Sequence, residues 1–316
     1  MGTKMSRVDI IMSTYNGERF LKEQMDSIVT CNHKKVILHV FDDGSSDDTL
    51  KILTDYKHRY QDQFYLYQNQ RNLGVTKNFL HGIKTVMDHF EEAKYFMCCD
   101  QDDVWHADKV SKTLRRMEQM EKRFGADRPL LVFTDAVITD ENLNEISKSF
   151  IKTQHFNSNK VDLAHLLMEN KCIGCTVMIN RAFDYYLSRI PNNARYHDWW
   201  LALIAAAFGH ISYLPEATID YRQHSSNVVG SISFSSYVRK RIASLKEQRQ
   251  TLIKNREQAE EFLHFFRKDL NGRQKFIVKG YLKMFQANFA KRRYIAIKQG
   301  YLKSGMIRNC GLMLIL

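Results

Sequence analysis

The sequence predicts an α/β protein with a mostly parallel central sheet, followed by an α-helical C-terminal region. Three observations predict it. Apolar runs of strand length alternate with helical stretches four times between Val8 and Phe124, the pattern of a doubly wound parallel sheet. Four polar clusters, Thr14–Asn16, Asp42–Ser45, Asn72–Lys77 and Asp100–Asp103, stand after those runs, where such sheets hold their ligands. Near residues 230–236 the texture then changes to long amphipathic helices, with no proline beyond Pro215.

The elements follow in order. Val8–Met12 is an apolar strand, and the helix after it carries Phe20, Leu21, Met25 and Ile28 on one face, at helical spacing. Val36–Phe41 is the second strand; the acidic stretch after it opens a helix. Phe64–Tyr67 is the third, and Asn69–Gly74 turns into a helix from about Thr76 to His89. Tyr95–Cys99 is the fourth, with a basic helix over about Ala107–Phe124. The pattern then becomes mixed: strands at Leu130–Thr134, Cys175–Ile179, His210–Leu214 and Ala217–Tyr221, and a helix over His197–Phe208. From Ser235 onward Val238, Ile242, Leu245, Leu252, Ala259, Phe262 and Phe266 form an apolar stripe. The division expected is a catalytic domain over residues 1–232 and a basic helical region over residues 233–316.

A chain of 316 residues with 44% hydrophobic and 12% aromatic content can bury a full core. It has no apolar run of about 18 or more residues and no secretory leader pattern, so a cytoplasmic location is expected. Charge is uneven. Residues 237–316 carry 19 Lys and Arg against 5 Asp and Glu, a net of +14, whereas residues 1–236 hold 28 and 30, a net of −2. The spacing of Cys172 and Cys175 lacks a second ligand pair for zinc, so both read as small buried residues.

Two constellations carry chemistry. Asp100, Asp102 and Asp103 crowd the end of an apolar strand. Carboxylates so placed repel one another unless a cation holds them, and Mg²⁺ or Mn²⁺ takes oxygen ligands together with phosphates. A metal-bridged nucleotide diphosphate is one reading; a solvated acidic turn is the other. Asp42-Asp43-Gly44-Ser45 lies between a strand and a helix. A carboxylate there accepts hydrogen bonds from a base or ribose, and the helix N-terminus favours anions; a plain N-cap is the alternative. The absence of GxGxxG after the first strand and of GxxxxGK[ST] anywhere argues against a dinucleotide oxidoreductase and a P-loop hydrolase.

The stretches VDIIMSTYNGE (Val8–Glu18), FDDGSSDDT (Phe41–Thr49), NLGVTKNF (Asn72–Phe79) and DQDDVW (Asp100–Trp105) resemble the ordered motifs of family 2 glycosyltransferases. Gly174-Cys175-Thr176, His197-Asp198-Trp199-Trp200 and Tyr221–Asn227 extend the likeness, which is greatest to bacterial polysaccharide rhamnosyltransferases. The resemblance implies the glycosyltransferase-A fold and metal-dependent, inverting sugar transfer from a nucleotide diphosphate. It implies donor-nucleotide contacts from Thr14, Tyr15, Asn16, Asp42, Asp43, Asn72, Lys77 and Asp100. Asp102 would bind Mg²⁺ or Mn²⁺, with Asp100 and His224 as further ligands; Asp103 and His224 would contact the donor sugar or diphosphate. Asp198 would be the catalytic base, although an Asp before an apolar run also suits a helix cap. Trp199 or Trp200 would wall a sugar ring, and His197 stands where many relatives have Glu.

L-Rhamnose from dTDP-rhamnose is the donor this likeness favours, with a UDP-hexose or UDP-N-acetylhexosamine as the alternative. The acceptor expected is a lipid-linked glycan at the inner membrane face. Lys291-Arg292-Arg293 and the apolar end Gly311–Leu316 fit docking on an anionic membrane; a homodimer contact or packing on the catalytic domain is another use of the apolar stripe. No nucleic-acid-binding motif is present. A nucleotidyltransferase would carry a Gly-rich basic loop where Ser13–Glu18 stands, and a non-catalytic assembly subunit would not need Asp100, Asp102 and Asp198.

Overall fold

A computed structural model describes residues 5–224 and 245–316. The N-terminal part alternates β1 (Val8–Thr14), α1 (Leu21–Val29), β2 (Val36–Asp42), α2 (Thr49–Arg59), β3 (Phe64–Gln68), α3 (Val75–His89), β4 (Tyr95–Cys99), β5 (Val104–Trp105) and α4 (Lys109–Phe124). The middle of the chain holds β6 (Leu130–Thr139), β7 (Glu145–Ser147), α5 (Phe150–Thr153), α6 (Leu163–Met168), β8 (Met178–Asn180), α7 (His197–Phe208) and β9 (His210–Arg222). Four helices follow: α8 (Leu245–Phe265), α9 (Gly272–Met284), α10 (Phe289–Gln299) and α11 (Met306–Ile315).

One mixed, mostly parallel sheet runs in the order β3-β2-β1-β4-β8-β6-β9-β5, with β7 paired to β6. β1 pairs in parallel with β2 and β4, and β2 with β3. Every residue of β1 and β4 is buried, as expected of parallel strands covered on both faces. The register sets the site: Thr14 faces Asp42 across β1–β2, and Met12 faces Cys99 across β1–β4. The chain therefore leaves β1, β2 and β4 side by side, and the polar clusters after them converge.

The second half departs from the expected elements in several places. Residues 174–176 form a 3-10 turn, so the strand expected at Cys175–Ile179 is only Met178–Asn180. The two strands expected over His210–Tyr221 are one long strand, β9, whose pairing with β6 is irregular between Thr134 and Val137. β5 was not foreseen, because two residues show no periodicity. It pairs Val104 with Asp220 and so draws the acidic loop onto β9.

The stripe residues Leu252, Ala259, Phe262 and Phe266 are buried. Trp200 on α7 meets the Phe262 ring edge-on at 5.5 Å, a favourable aromatic geometry. α8 packs against α6, and α9 packs against α6, α8 and α10. Buried residues of α8, α9 and α11 belong to the same hydrophobic cluster as the sheet. Much of the C-terminal stripe is thus committed to packing within this chain. Val238, Ile242, the boundary near residues 230–236 and the motif residues Ser225, Ser226 and Asn227 lie outside the described residues. Among those described, no helix is long and apolar enough to cross a membrane.

Candidate active site

Beyond the ends of β1, β2 and β4 lies a cavity of about 1030 Å³. Its lining includes Tyr15, Asn16, Asp43 and Asn72 from the loops after β1, β2 and β3, and Asp100 and Asp102 after β4. His197, Asp198, Trp199 and His224 also line it.

The two carboxylates at the end of β2 hold the loops. The Asp42 carboxylate accepts the Thr14 hydroxyl at 3.0 Å and the backbone N–H groups of Gly44 and Ser45 at 3.1 and 2.9 Å. Asp43 accepts Leu73 N–H, Gly74 N–H and the Asn69 amide, each at 2.8 Å. Gly44 and Gly74 have φ of +87° and +79°, the left-handed region that side chains other than glycine seldom occupy. Gln101 ties the loop after β4 to the loop after β1: its Oε1 accepts Tyr15 N–H at 2.9 Å, and its Nε2 donates to Tyr15 O at 3.1 Å.

The acidic loop is clamped by Arg222, whose place in the Tyr221–Asn227 stretch gives no local sign of this role. Its backbone N–H donates to Asp103 Oδ1 at 3.1 Å and its Nε to Asp102 O at 2.8 Å. The guanidinium also pairs with Glu23 and lies 4.5 Å over the Phe20 ring. Two residues on, His224 Nε2 is 2.9 Å from Asp102 Oδ2.

Loss of water and the neighbouring Asp102 and Asp198 push the Asp100 carboxyl up to about 8. Asp103 is raised too, mainly by burial and then by Asp102 and Asp100, and among the described residues its Oδ2 has no hydrogen-bond partner. Crowded carboxylates that favour protons also favour a cation. Among the described residues the ligand atoms that gather within 4.8 Å of one another are those of Asp100, Asp103 and Cys175, whereas Asp102 and His224 form a pair that shares the cavity wall with Asp100. Burial holds the Cys175 thiol well above its usual range, and Mn²⁺ or Mg²⁺ prefers oxygen ligands to a thiol, so the Asp100 and Asp102 carboxylates are the ligands that suit such a cation.

Asp198 sits in the first turn of α7; Tyr196 occupies the N-cap position and makes no side-chain cap bond. The Asp198 carboxylate accepts Trp199 N–H at 2.6 Å. It is 9% exposed, and burial raises it to about 7. His197 beside it is stacked on Phe79 at 3.9 Å, and burial lowers it to about 3. Trp199 donates its indole N–H to Leu166 O at 2.6 Å and lines the cavity, whereas Trp200 turns into the C-terminal helices.

Of the residues singled out from sequence, Tyr15, Asn16, Asp43, Asn72, Asp100, Asp102, Asp198, Trp199 and His224 meet in this cavity. Five do not line it, Trp200 among them. Thr14 and Asp42 are buried and spent on each other, Asp103 is enclosed under Arg222, and Lys77 Nζ donates to Asn192 Oδ1 at 2.9 Å. Missed from sequence were Gln101, Arg222 and a wall of Lys171, Arg195, Asn255, Lys303 and Arg308. Only a basic tail signalled that wall. The sequence reading of Cys172 and Cys175 as buried agrees with two free, buried thiols.

The profile of glycosyl transferase family 2 matches residues 9–182. The chain belongs to that family. It is therefore a glycosyltransferase. It is 28% identical to the dTDP-rhamnosyl transferase RfbG of Shigella flexneri over 235 residues, covering 71% of this chain and 76% of that one. It is 22% identical to an uncharacterized glycosyltransferase of Rickettsia prowazekii over 299 residues, 94% of this chain and 82% of its relative. Among solved structures, S. aureus TarS 1–349 in complex with UDP-GlcNAc superposes with a TM-score of 0.56 at 14% identity, over 98% of this chain and 90% of that one. The mannosyltransferase PcManGT of Pyrobaculum calidifontis, in complex with GDP-Man and Mn²⁺, superposes with a TM-score of 0.53 at 15% identity, over 99% and 79%. These likenesses establish the glycosyltransferase-A fold.

Proposed function

We propose that this family 2 glycosyltransferase is metal-dependent and inverting, and moves L-rhamnose from dTDP-rhamnose to a hydroxyl of a lipid-linked bacterial surface polysaccharide precursor. The observation that carries the reading is one cavity shared by the carboxylates Asp100 and Asp102 and the buried carboxylate Asp198. Tyr15, Asn16, Asp43 and Asn72 bound the nucleotide end. Asp100, Asp102 and His224 would hold Mg²⁺ or Mn²⁺, and the cation, when bound, neutralises charge on the leaving diphosphate. Asp198 takes the proton of the acceptor hydroxyl as that oxygen attacks the anomeric carbon, and inversion follows from this single displacement. With Asp198 raised to about 7, it can accept that proton near neutral pH and hold it in the product complex. Trp199 presents an apolar face beside it.

The donor assignment rests on the rhamnosyl relative. A UDP-linked hexose or N-acetylhexosamine is the second reading, favoured by the UDP-GlcNAc complex of the TarS neighbour. Association with an anionic membrane draws support from the C-terminal surface. Phe289 and Met306 are 73% and 83% exposed, Tyr294 and Ile297 are exposed near them in sequence, and Lys291, Arg293 and Lys298 supply positive charge. The test is a thermal-shift screen of dTDP-rhamnose, UDP-glucose, UDP-galactose and UDP-N-acetylglucosamine with Mn²⁺ present, since a ligand of the folded state raises Tm by mass action. Stabilisation by dTDP-rhamnose alone, lost with chelator or on Asp102→Ala, is expected. A response confined to a UDP-sugar replaces the donor, and silence with every sugar nucleotide overturns the reading.

A further inference from the structure

A cavity of about 1030 Å³ stands at the upper end of the usual range for one small ligand, roughly 300–1,000 Å³. Its charges are divided. The loops after β1, β2 and β4 contribute Glu18, Asp43, Asp47, Asp100 and Asp102 against Arg19. Residues 150–199 and the C-terminal helices contribute Lys171, Arg195, Lys303 and Arg308 against Glu169 and Asp198. The donor phosphates belong with the acidic end, where a divalent cation would meet them. They leave the cationic wall without a substrate group.

That wall is built, not a solvated surface. Lys171 is 1% exposed, and Lys303 and Arg308 are nearly as buried; such burial is rare for a charged side chain. Glu169 fixes the C-terminal segment: its carboxylate accepts Ser304 N–H at 2.7 Å and Arg308 Nη1 at 2.9 Å. Arg308 lies 4.7 Å over the Phe156 ring, and Arg195 lies 5.3 Å over Trp199 while donating to Asn255 Oδ1 at 2.6 Å. Aromatic faces of this kind hold a guanidinium plane in one orientation. The wall shares its cavity with Asp198, and Arg195 stacks over the residue that follows it. Arginine forks and lysine ammonium groups together suit tetrahedral oxyanions.

We infer that this wall, formed by Lys171, Arg195, Lys303 and Arg308, binds a phosphoryl group of the acceptor. The inference rests on the glycosyltransferase reading and adds to it that the acceptor is a phosphate-bearing molecule gripped beside Asp198. That phosphate is either the one joining a glycan to its lipid or a phosphodiester within the glycan. The C-terminal helices are then part of the acceptor site as well as a surface appendage.

The test uses the full chain, saturated with dTDP or UDP and Mn²⁺ so that the donor end is filled. Geranyl phosphate and glycerol 3-phosphate are titrated by calorimetry, with glycerol as the uncharged control. At least one phosphate is expected to bind, glycerol is not, and Lys303→Met weakens that binding at least tenfold while Lys303→Arg restores it. Lys171→Met gives a second, independent loss. Preference for geranyl phosphate assigns the lipid-side phosphate; preference for glycerol 3-phosphate assigns one within the glycan. Nucleotide binding with no response to either phosphate, or phosphate binding unchanged in both methionine variants, overturns the inference and leaves the glycosyltransferase reading standing. Failure of every nucleotide to bind removes that reading, and this inference with it.

Discussion

The nucleotide end and the cationic end of the cavity are held by different kinds of contact. At the nucleotide end the two carboxylates at the end of β2 are satisfied by their own loop or its neighbour, Asp42 by Gly44 and Ser45, and Asp43 by Leu73 and Gly74. At the cationic end the partners are remote in sequence: Glu169 to Arg308 spans 139 residues, and Arg195 to Asn255 spans 60. The first kind of site forms once adjacent parallel strands pair. The second requires α8 and α11 to dock on α6 and α7, so it depends on the whole chain having closed. On the roles proposed for the two ends, a change of acceptor is open to the C-terminal helices without disturbing the loops after β1 and β2.

Asp198→Asn offers the largest break in that comparison, because Asp198 is the proposed base in the cavity that both ends share. Removing the base should lower kcat about 10²- to 10⁴-fold while dTDP or UDP binding persists; near-normal turnover would exclude Asp198 as the base. The pH dependence sharpens the point. The Asp198 carboxyl is raised from 3.8 to about 7 in the fold, so the folded state keeps a proton that the unfolded state has released. Its stabilising contribution is complete below about pH 4 and is lost as pH rises through about 7. Transfer by the parent protein should rise over the same upper range. At pH 8 the Asn variant should melt above the parent, although it transfers less.

Glu169→Gln breaks the cationic end. Leaving Arg308 buried without its carboxylate should cost about 3–5 kcal/mol, read as a fall in the urea midpoint, with the donor loops still able to bind nucleotide once the chain is folded. Equal loss of nucleotide affinity would mean that the two ends are not separable. Asp43→Asn tests the other end with a smaller effect. Each buried N–H left unsatisfied costs about 1–3 kcal/mol, and weaker nucleotide binding should accompany the drop. The smallest effect on the fold is expected from Phe289→Ser with Ile297→Ser. Both side chains are exposed, so stability should stay within about 0.5 kcal/mol of the parent for each. Co-sedimentation with vesicles rich in phosphatidylglycerol should fall, and unchanged sedimentation would remove these helices from the membrane contact.

The strands β1 to β4 were legible because each is an apolar run with turn residues after it, a signal confined to a few neighbours. β5 was not, since a two-residue strand exists only through its partner β9. Arg222 stood inside a quoted motif, yet its clamp on Asp102 and Asp103 spans about 120 residues of sequence and leaves no local trace. Trp199 and Trp200 show the same limit on one helix. Successive residues point about 100° apart, and only the positions of α6 and α8 decide that Trp199 meets the cavity while Trp200 meets Phe262.

By itself the sequence determined the alternation of strand and helix, the acidic and amide clusters at the strand ends, and a basic amphipathic C-terminal region. These are consequences of side-chain period and backbone preference, which act over a few residues. Tertiary structure alone decided which members of those clusters face the cavity: Asp43, Asp100 and Asp102 do, while Thr14, Asp42, Lys77 and Asp103 are turned into hydrogen bonds elsewhere. It alone gathered Lys171, Arg195, Lys303 and Arg308 into one wall. Buried charges gain their partners only when distant segments meet, and no local pattern encodes that meeting.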